Sequence, residues 1–241
     1  MKASPADQIR LLEVQADDAR LDALANRRRT LPALAEISRL TREITDLDSR
    51  IGSAQTDVSD LTRSQTKASN ETGVVRARLD RNNVRLSAGT GSAKDLQATS
   101  SENVSLHRRI AVLEEAELEV MEQVEVAEST LAELRTTRDG SAVALADAEQ
   151  QRDAAFADLD DDLGRVRPHR EQAAAQLPEQ LATRYERIRA SAGGVGAAQL
   201  ADGRCTGCRL QLNVSELATI RNADPDEVLE CDECGRILVR A

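Results

Sequence analysis

The residues with the clearest chemistry in this chain are its four cysteines, which form two Cys-x-x-Cys pairs. The first is Cys205-Thr-Gly-Cys208 and the second is Cys231-Asp-Glu-Cys234. Two such turns supply four thiolates, the ligand set that tetrahedral zinc takes at about 2.3 Å per sulfur. Four protein ligands leave no open position for a catalytic water, so the spacing favours one structural zinc ion.

A redox dithiol is the weaker alternative for the same cysteines. A thioredoxin-like motif is one Cys-x-x-Cys beside a βαβ pattern, whereas this chain has two pairs and no such pattern. The N-terminal segment lacks the apolar run of a signal peptide, and no stretch approaches the ~20 apolar residues of a membrane span. We therefore expect a cytoplasmic protein without a membrane partner, in a compartment where thiols stay reduced.

Three arginines flank the cysteine pairs, Arg204, Arg209 and Arg236. They are candidate contacts for the phosphates of a nucleic acid. They could equally balance the negative charge of zinc bound by four thiolates. From Gly196 onward the chain has five arginines against eight acids, so the C-terminal module is acidic and charge compensation is the favoured interpretation.

Long helices must position this module. The 241 residues include no tryptophan, one phenylalanine and one tyrosine, and 31% are charged, which is typical of coiled coils. Steps of three and four residues from Ile9 to Leu86 meet mostly apolar side chains. A 3.5-residue repeat held over about eleven heptads predicts a coiled-coil seam. Pro32 lies inside this stretch and predicts a kink, because proline removes a backbone hydrogen bond.

A second helix is predicted after a glycine turn. Gly89 and Gly91 end the first seam, and Ser92 with Asp95 forms a new helix cap. The same stepping resumes at Leu96 and continues to Val166. Its less regular stripe includes five polar residues, Glu117, Arg138, Ser141, Arg152 and Asp162. Two long helices joined by a short turn must run antiparallel, which predicts a mostly α fold with a long coiled-coil hairpin.

The end of the chain predicts a second, smaller domain. Pro168 and Pro178 are expected to interrupt the returning helix, and a short helix follows with Leu181, Tyr185 and Ile188 on one face. A glycine-rich joint then precedes the cysteines. We predict a helical hairpin with its short connecting helix over residues 1–192, and a zinc ribbon with short β-strands over residues 193–241.

Two charged regions suggest what the helices could bind, although the net charge is −10. Basic residues surround the hairpin turn, namely Arg76, Arg78, Arg81, Arg85 and Lys94. They make nucleic-acid binding, to RNA or DNA, one hypothesis, but aromatic stacking platforms are missing. Seven glutamates between Glu114 and Glu128, in a stretch without a basic residue, could instead dock a basic protein. Such runs are more often a solvated helix face.

No catalytic constellation is apparent. His107 and His169 are isolated on predicted helices without a neighbouring nucleophile or carboxylate pattern. The segment GTGSAK lacks the spacing of a phosphate-binding loop. We therefore expect a non-enzymatic protein without a small-molecule substrate.

Four segments resemble a bacterial family of proteins that have a long helical hairpin and a C-terminal C4-type zinc ribbon. They are LLEVQADDARLDAL, SAKDLQATSSEN, LPEQLATRYERIR, and CTGCRLQL paired with CDECGRIL. The resemblance implies a kinked antiparallel coiled coil, one zinc ion held by Cys205, Cys208, Cys231 and Cys234, and a non-enzymatic role. Members of that family look like adaptors, linked to an alternative sigma factor, to flagellar or type III secretion components, and to messenger RNA.

An interaction scaffold is therefore the first functional hypothesis, with protein partners and a possible place in transcription-linked regulation. Nucleic-acid binding through the basic turn and the ribbon is the second.

Overall fold

The computed structural model describes residues 1–240, and residue 241 of the predicted ribbon lies outside the described residues. Five helices account for most of the chain. They are α1 (Pro5–Arg29), α2 (Pro32–Ser87), α3 (Ala93–Ala175), α4 (Glu179–Ser191) and α5 (Val214–Asn222). The four short strands are β1 (Ala197–Ala201), β2 (Arg204–Cys205), β3 (Leu229–Glu230) and β4 (Ile237–Arg240). The mostly α fold with a helical hairpin and a small C-terminal sheet is confirmed.

The helix ends follow local chemistry. The Ser4 side chain caps α1 by accepting a hydrogen bond from the Asp7 amide, and Ser92 caps α3 in the same way through Asp95. The predicted disturbance near Pro32 takes the form of a complete break, because α1 ends at Arg29 and Pro32 is the first residue of α2. Proline suits this position, since the first helical residue needs no backbone donor.

The predicted seam is confirmed along α2 and α3 in the unit Glu36–Ala148. On α2 the stripe from Ile37 to Leu86 is buried or half-buried at every predicted position. On α3 two polar members of the stripe, Arg138 and Ser141, are half-buried and buried, and partners on α2 satisfy both. Ser141 donates a hydrogen bond of 2.8 Å to Glu43, and Arg138 contacts Asp48 at 3.1 Å.

The seam prediction is wrong in α1 by one residue. Ile9 is 47% exposed, whereas Gln8, Leu11, Val14 and Gln15 are buried. The inward face of α1 carries polar residues that have buried partners. Stepping along the apolar side chains therefore follows the neighbouring face of the helix.

Pro168 does not interrupt the returning helix, because α3 continues through it to Ala175. The interruption occurs at Pro178, which directly precedes α4. The short helix itself is confirmed, and Leu181, Tyr185 and Ile188 are its buried residues.

The strands form one sheet in the order β2-β1-β4-β3. Its two central strands, β1 and β4, run parallel with Ala197 beside Ile237, and both outer pairings are antiparallel. Alternate residues of the central strands face two apolar clusters. Ala197, Ile237 and Val239 pack with residues of α1, α3 and α4, whereas Ala198 and Leu238 pack beside the cysteines.

The chain divides into two compact units by its contacts. One is Glu36–Ala148, and the other combines Met1–Ala35 with the chain from Glu149 onward. Within the second unit, residues 1–3 lie against the segment before β3, where the Ala3 amide donates to Asp226 O at 2.8 Å. The predicted domain boundary between 192 and 193 stays a prediction, and one apolar cluster includes residues from both sides of it.

Among residues 1–240, no helix combines the length and the hydropathy that crossing a membrane requires.

Candidate metal centre

The four cysteine sulfurs lie together, all within 4.8 Å of one another. Cys205 Sγ is 3.9 Å from Cys234 Sγ, and Cys208 Sγ is 4.0 Å from Cys231 Sγ. Four sulfurs at about 2.3 Å around a tetrahedral ion are about 3.8 Å apart, so the group fits one zinc ion. Disulfide sulfurs are only about 2.05 Å apart. The geometry favours structural zinc over the redox dithiol.

Two similar turns present these sulfurs. The first follows β2, and the second connects β3 to β4. In the first turn the backbone amides of Gly207 and Cys208 point at the Cys205 sulfur, and in the second the amides of Glu233 and Cys234 point at the Cys231 sulfur. These donors stabilise thiolate charge and fix the sulfur positions.

Gly207 also allows close packing against the first turn. A Cβ atom at this position would lie 2.7 Å from Arg236 Cδ and 3.0 Å from Ala198 Cβ. The approach of β1 and of Arg236 to this turn therefore requires glycine.

Burial sets the protonation of the thiols before a metal binds. It raises the pKa of Cys205 above its ordinary value and that of Cys231 to about 12. Burial also raises the pKa of Cys234, but hydrogen bonds from the backbone and side chain of Arg236, and from the Cys231 and Cys208 thiols, outweigh it and lower that pKa to about 7. Zinc binding therefore requires proton release from the more deeply buried thiols.

Each turn ends in a left-handed residue directly after its second cysteine. Arg209 has φ 63° and Gly235 has φ 67°. Glycine adopts this conformation freely, whereas a side chain costs about 1–2 kcal/mol. Replacing Gly235 with alanine should therefore destabilise the ribbon by about 1–2 kcal/mol, and Arg209→Gly should stabilise it by a similar amount. Thermal unfolding of the zinc-loaded protein measures both, and equal shifts in the same direction would contradict this account.

The three ribbon arginines have different environments. Arg236 donates to Val195 O at 3.0 Å and to Ala192 O at 2.8 Å, so it ties the second turn to the joint before β1. Arg204 donates to the Gln211 side chain at 2.8 Å, and Arg209 is exposed. Their role as nucleic-acid contacts stays a prediction.

The basic residues around the hairpin turn also differ among themselves. Arg76 pairs with Glu114 at 2.5 Å, and Arg78 pairs with Glu102. Arg85 donates to Thr90 O at 3.5 Å, and its charge also acts on the Asp95 carboxylate. Within residues 1–240, Arg81 and Lys94 have no side-chain hydrogen bond or ion pair, and both are exposed. Two of the five basic residues that were predicted to contact nucleic acid are therefore paired with glutamates of α3. The other three could still contact a phosphate.

A buried polar network beside the ribbon has no counterpart among the predicted sites. At its centre is Asp18 of α1, whose carboxylate accepts from Arg170 of α3 at 3.0 Å and from the Tyr185 hydroxyl of α4 at 2.7 Å. Arg189 Nε lies 3.4 Å from Oδ2 of the Asp18 carboxylate. Burial and the Asp18 carboxylate raise the pKa of Tyr185, so its hydroxyl stays protonated and donates at neutral pH.

Two neighbours of Asp18 extend the network. The Gln15 side-chain oxygen accepts from the Gly196 amide at 2.6 Å, which connects α1 to the start of β1. Asp17 is 2% exposed and lies 2.5 Å from His169 Nδ1. His169 is an exposed surface residue, with 63% of its side chain accessible, but it contacts a buried carboxylate and so is not isolated. Two features of the sequence could have indicated this network: the segment QADDAR, which contains Gln15, Asp17 and Asp18, and the single tyrosine of the chain.

The fold and the site define a coiled-coil hairpin protein with a C4 zinc ribbon. The model of the CT398-like coiled coil hairpin domain matches residues 14–193, and that of the C4-type zinc ribbon domain matches residues 204–238. The chain belongs to this family, as the sequence resemblance indicated. The four clustered cysteines of its ribbon hold one structural zinc ion.

The similarity to other proteins extends over nearly their full length. The uncharacterized protein Rv2229c of Mycobacterium tuberculosis is 36% identical over all of this chain and 98% of its own. A solved structure from Mycobacterium smegmatis is 33% identical, with a TM-score of 0.85 and complete coverage of both chains. CT398 of Chlamydia trachomatis, at 15% identity and a TM-score of 0.70 over 98% of both chains, shares the fold.

Proposed function

We propose that this protein is a non-enzymatic adaptor that binds protein partners in the cytoplasm, in transcription-linked regulation. The four-sulfur zinc site supports the absence of catalysis, because it leaves no ligand position for water or substrate. Cysteines that bind zinc as thiolates suit a reducing compartment. The link to transcription rests on the family resemblance alone.

The observation that carries the adaptor proposal is an acidic face on α3, made of Glu115, Leu118, Glu122 and Glu125. These residues follow steps of three and four, so they share one side of the helix. Leu118 is 59% exposed, and the three glutamates are exposed without an ion pair among residues 1–240. An exposed apolar residue framed by acids suits the apolar face of a basic helix.

Crosslinking mass spectrometry in the native cell, followed by affinity capture, tests this proposal. The full-length protein should capture a specific partner that carries a basic amphipathic segment. The variant Glu115→Lys with Glu122→Lys should lose it, because the charge of the face is reversed. Glu133→Lys with Asp147→Lys is the matched control, since both are exposed acids of α3 outside the acidic face. Equal capture by both variants, or no specific partner at all, would contradict the proposal.

Point variants are preferable to removal of the ribbon in this experiment. Residues of β1 and β4 pack in one cluster with residues of α1 and α4. Truncation at residue 192 would expose that cluster and create an artificial binding surface.

Nucleic-acid binding is the second candidate, favoured by Arg81 and Lys94 beside the hairpin turn, which have no ion pair among residues 1–240. Phosphate contacts make affinity fall steeply with salt. Binding of RNA or DNA should therefore weaken as salt rises and weaken further in Arg81→Glu with Lys94→Glu. Arg204→Glu tests the ribbon separately. Flat titrations with both nucleic acids at low salt would exclude this candidate.

A further inference from the structure

The joint between α4 and β1, residues 192–196, contains two consecutive glycines. Gly193 and Gly194 have φ of 69° and 89°. Gly193 is exposed, and a Cβ atom added to it would meet no other atom within 4 Å. Glycine loses more conformational freedom on ordering than any other residue. The conformation of the joint therefore depends on contacts from other segments.

Arg236 holds this joint from the side of the zinc site. Its guanidinium donates to Ala192 O at 2.8 Å and to Val195 O at 3.0 Å. These two carbonyls belong to the residues on either side of the glycine pair. One side chain therefore bridges the two ends of the joint.

Both cysteine turns position Arg236. Its backbone and side chain donate to the Cys234 sulfur, and its carbonyl accepts from the Cys231 amide at 2.9 Å. Its side chain also lies against the first turn, where a Cβ atom on Gly207 would be 2.7 Å from Arg236 Cδ. The position of Arg236 therefore depends on the metal that holds the two turns together.

Gln15 holds the same joint from α1. Its side-chain oxygen accepts from the Gly196 amide at 2.6 Å, and its side-chain nitrogen donates to Gly194 O at 3.3 Å. Gln15 is only 8% exposed. A joint that moved away would leave this buried amide without its partners, which costs free energy. The contacts of Arg236 and of Gln15 therefore favour the same conformation of the joint.

We propose that zinc binding and the attachment of α1 to the joint are thermodynamically coupled, and that Arg236 carries the coupling. When the metal holds both turns, Arg236 fixes the joint and Gln15 keeps its partners. When the metal leaves, Arg236 loses its position and the joint is free to leave Gln15. Coupling of this kind is reciprocal, so a change on α1 must alter the affinity for zinc.

Competition with a chelator of known zinc affinity tests this reciprocal effect on the full-length protein. Gln15→Leu removes both contacts with the joint and should lower the zinc affinity by about fivefold or more. Gln8→Leu is the matched control, because Gln8 is also buried on α1 but donates to Ala3 O and Pro225 O. Equal losses of affinity in the two variants would overturn the joint as the route of coupling.

The double variant tests whether Arg236 carries the coupling. In a protein that already has Arg236→Gln, adding Gln15→Leu should have little further effect on zinc affinity, because the connection is already lost. Effects that simply multiply would contradict the role of Arg236.

Amide exchange measured by NMR at saturating zinc tests the joint itself. Arg236→Gln should keep one zinc ion per chain, while the Gly194 and Gly196 amides exchange about fivefold faster or more. Arg236→Lys should show the same fast exchange, because one ammonium group keeps the charge but does not replace a planar guanidinium that bridges two carbonyls. Arg204→Gln is the control, since Arg204 donates to Gln211 instead.

Circular dichroism checks that every variant stays helical, and the exchange of the Arg236 variants decides the question if Gln15→Leu does not fold. Unchanged zinc affinity in a folded Gln15→Leu would overturn the coupling. Exchange as slow as in the wild type for Arg236→Gln, or full rescue by Arg236→Lys, would overturn the bridge across the joint. The coupling does not depend on the adaptor role, so either proposal can fail alone.

Discussion

Replacing Cys231 with serine should remove the zinc ion and unfold the ribbon. Structural zinc contributes about 10–16 kcal/mol to the folding of zinc-finger peptides, which matches or exceeds the whole stability of a typical domain at about 5–15 kcal/mol. Zinc content should fall from one ion per chain to nearly none. Hydrogen exchange should then become fast across the four strands, while α2 and α3 within Glu36–Ala148 keep their protection.

The matched control for this substitution is Asp232→Asn, next to Cys231 in the same turn. Asp232 is exposed and contributes no sulfur, so its variant should keep one zinc ion and full protection of the ribbon. Retention of stoichiometric zinc by Cys231→Ser would show that this cysteine is not a ligand.

Replacing Asp18 with alanine should destabilise the unit that contains the ribbon by about 1–3 kcal/mol, because the buried Tyr185 hydroxyl loses its 2.7 Å acceptor. Arg170 and Arg189 keep Glu186 and Asp22 as partners. The Asp18 side chain is 5% exposed, and its partners Arg170 and Arg189 are 21% and 23% exposed. Thermal unfolding monitored by hydrogen exchange of α1 and α4 measures the effect.

The control for Asp18 is Asp160→Ala, which breaks an exposed ion pair between α3 and Arg28 of α1. Asp160 is 57% exposed, and such pairs contribute about 0–1 kcal/mol. Both substitutions remove an aspartate that connects the same two helices, but only one carboxylate is buried. Equal losses for the two variants would contradict the role assigned to the buried network.

The sequence was sufficient for the long helices and for the zinc site because both depend on regular spacing. The seam of α2 and α3 needs only one 3.5-residue period, and its polar members, such as Ser141, are covered because the period holds. The cysteine pairs need only two tight turns. The glycine turn and the Ser92 cap depend only on residues that are close in sequence, so the sequence predicts them as well.

The base of the hairpin could not be predicted in the same way, because its stability comes from partners distant in sequence. Asp18 and Gln15 appear as surface residues in any count of polarity, and they are buried because Tyr185, Arg170 and Gly196 satisfy them. Pro168 misled the prediction for a related reason. Beyond Pro168, Ala173 of α3 packs in the same cluster as residues of α1 and α4, and such contacts can offset the missing backbone donor.

X-ray absorption at the zinc edge of the purified full-length protein tests the central claim most directly. The account predicts one zinc ion per chain with four sulfur neighbours at about 2.3 Å and no oxygen or nitrogen in the coordination shell. A shell that includes oxygen or nitrogen, or a zinc-free protein with its thiols joined as disulfides, would contradict a closed structural site.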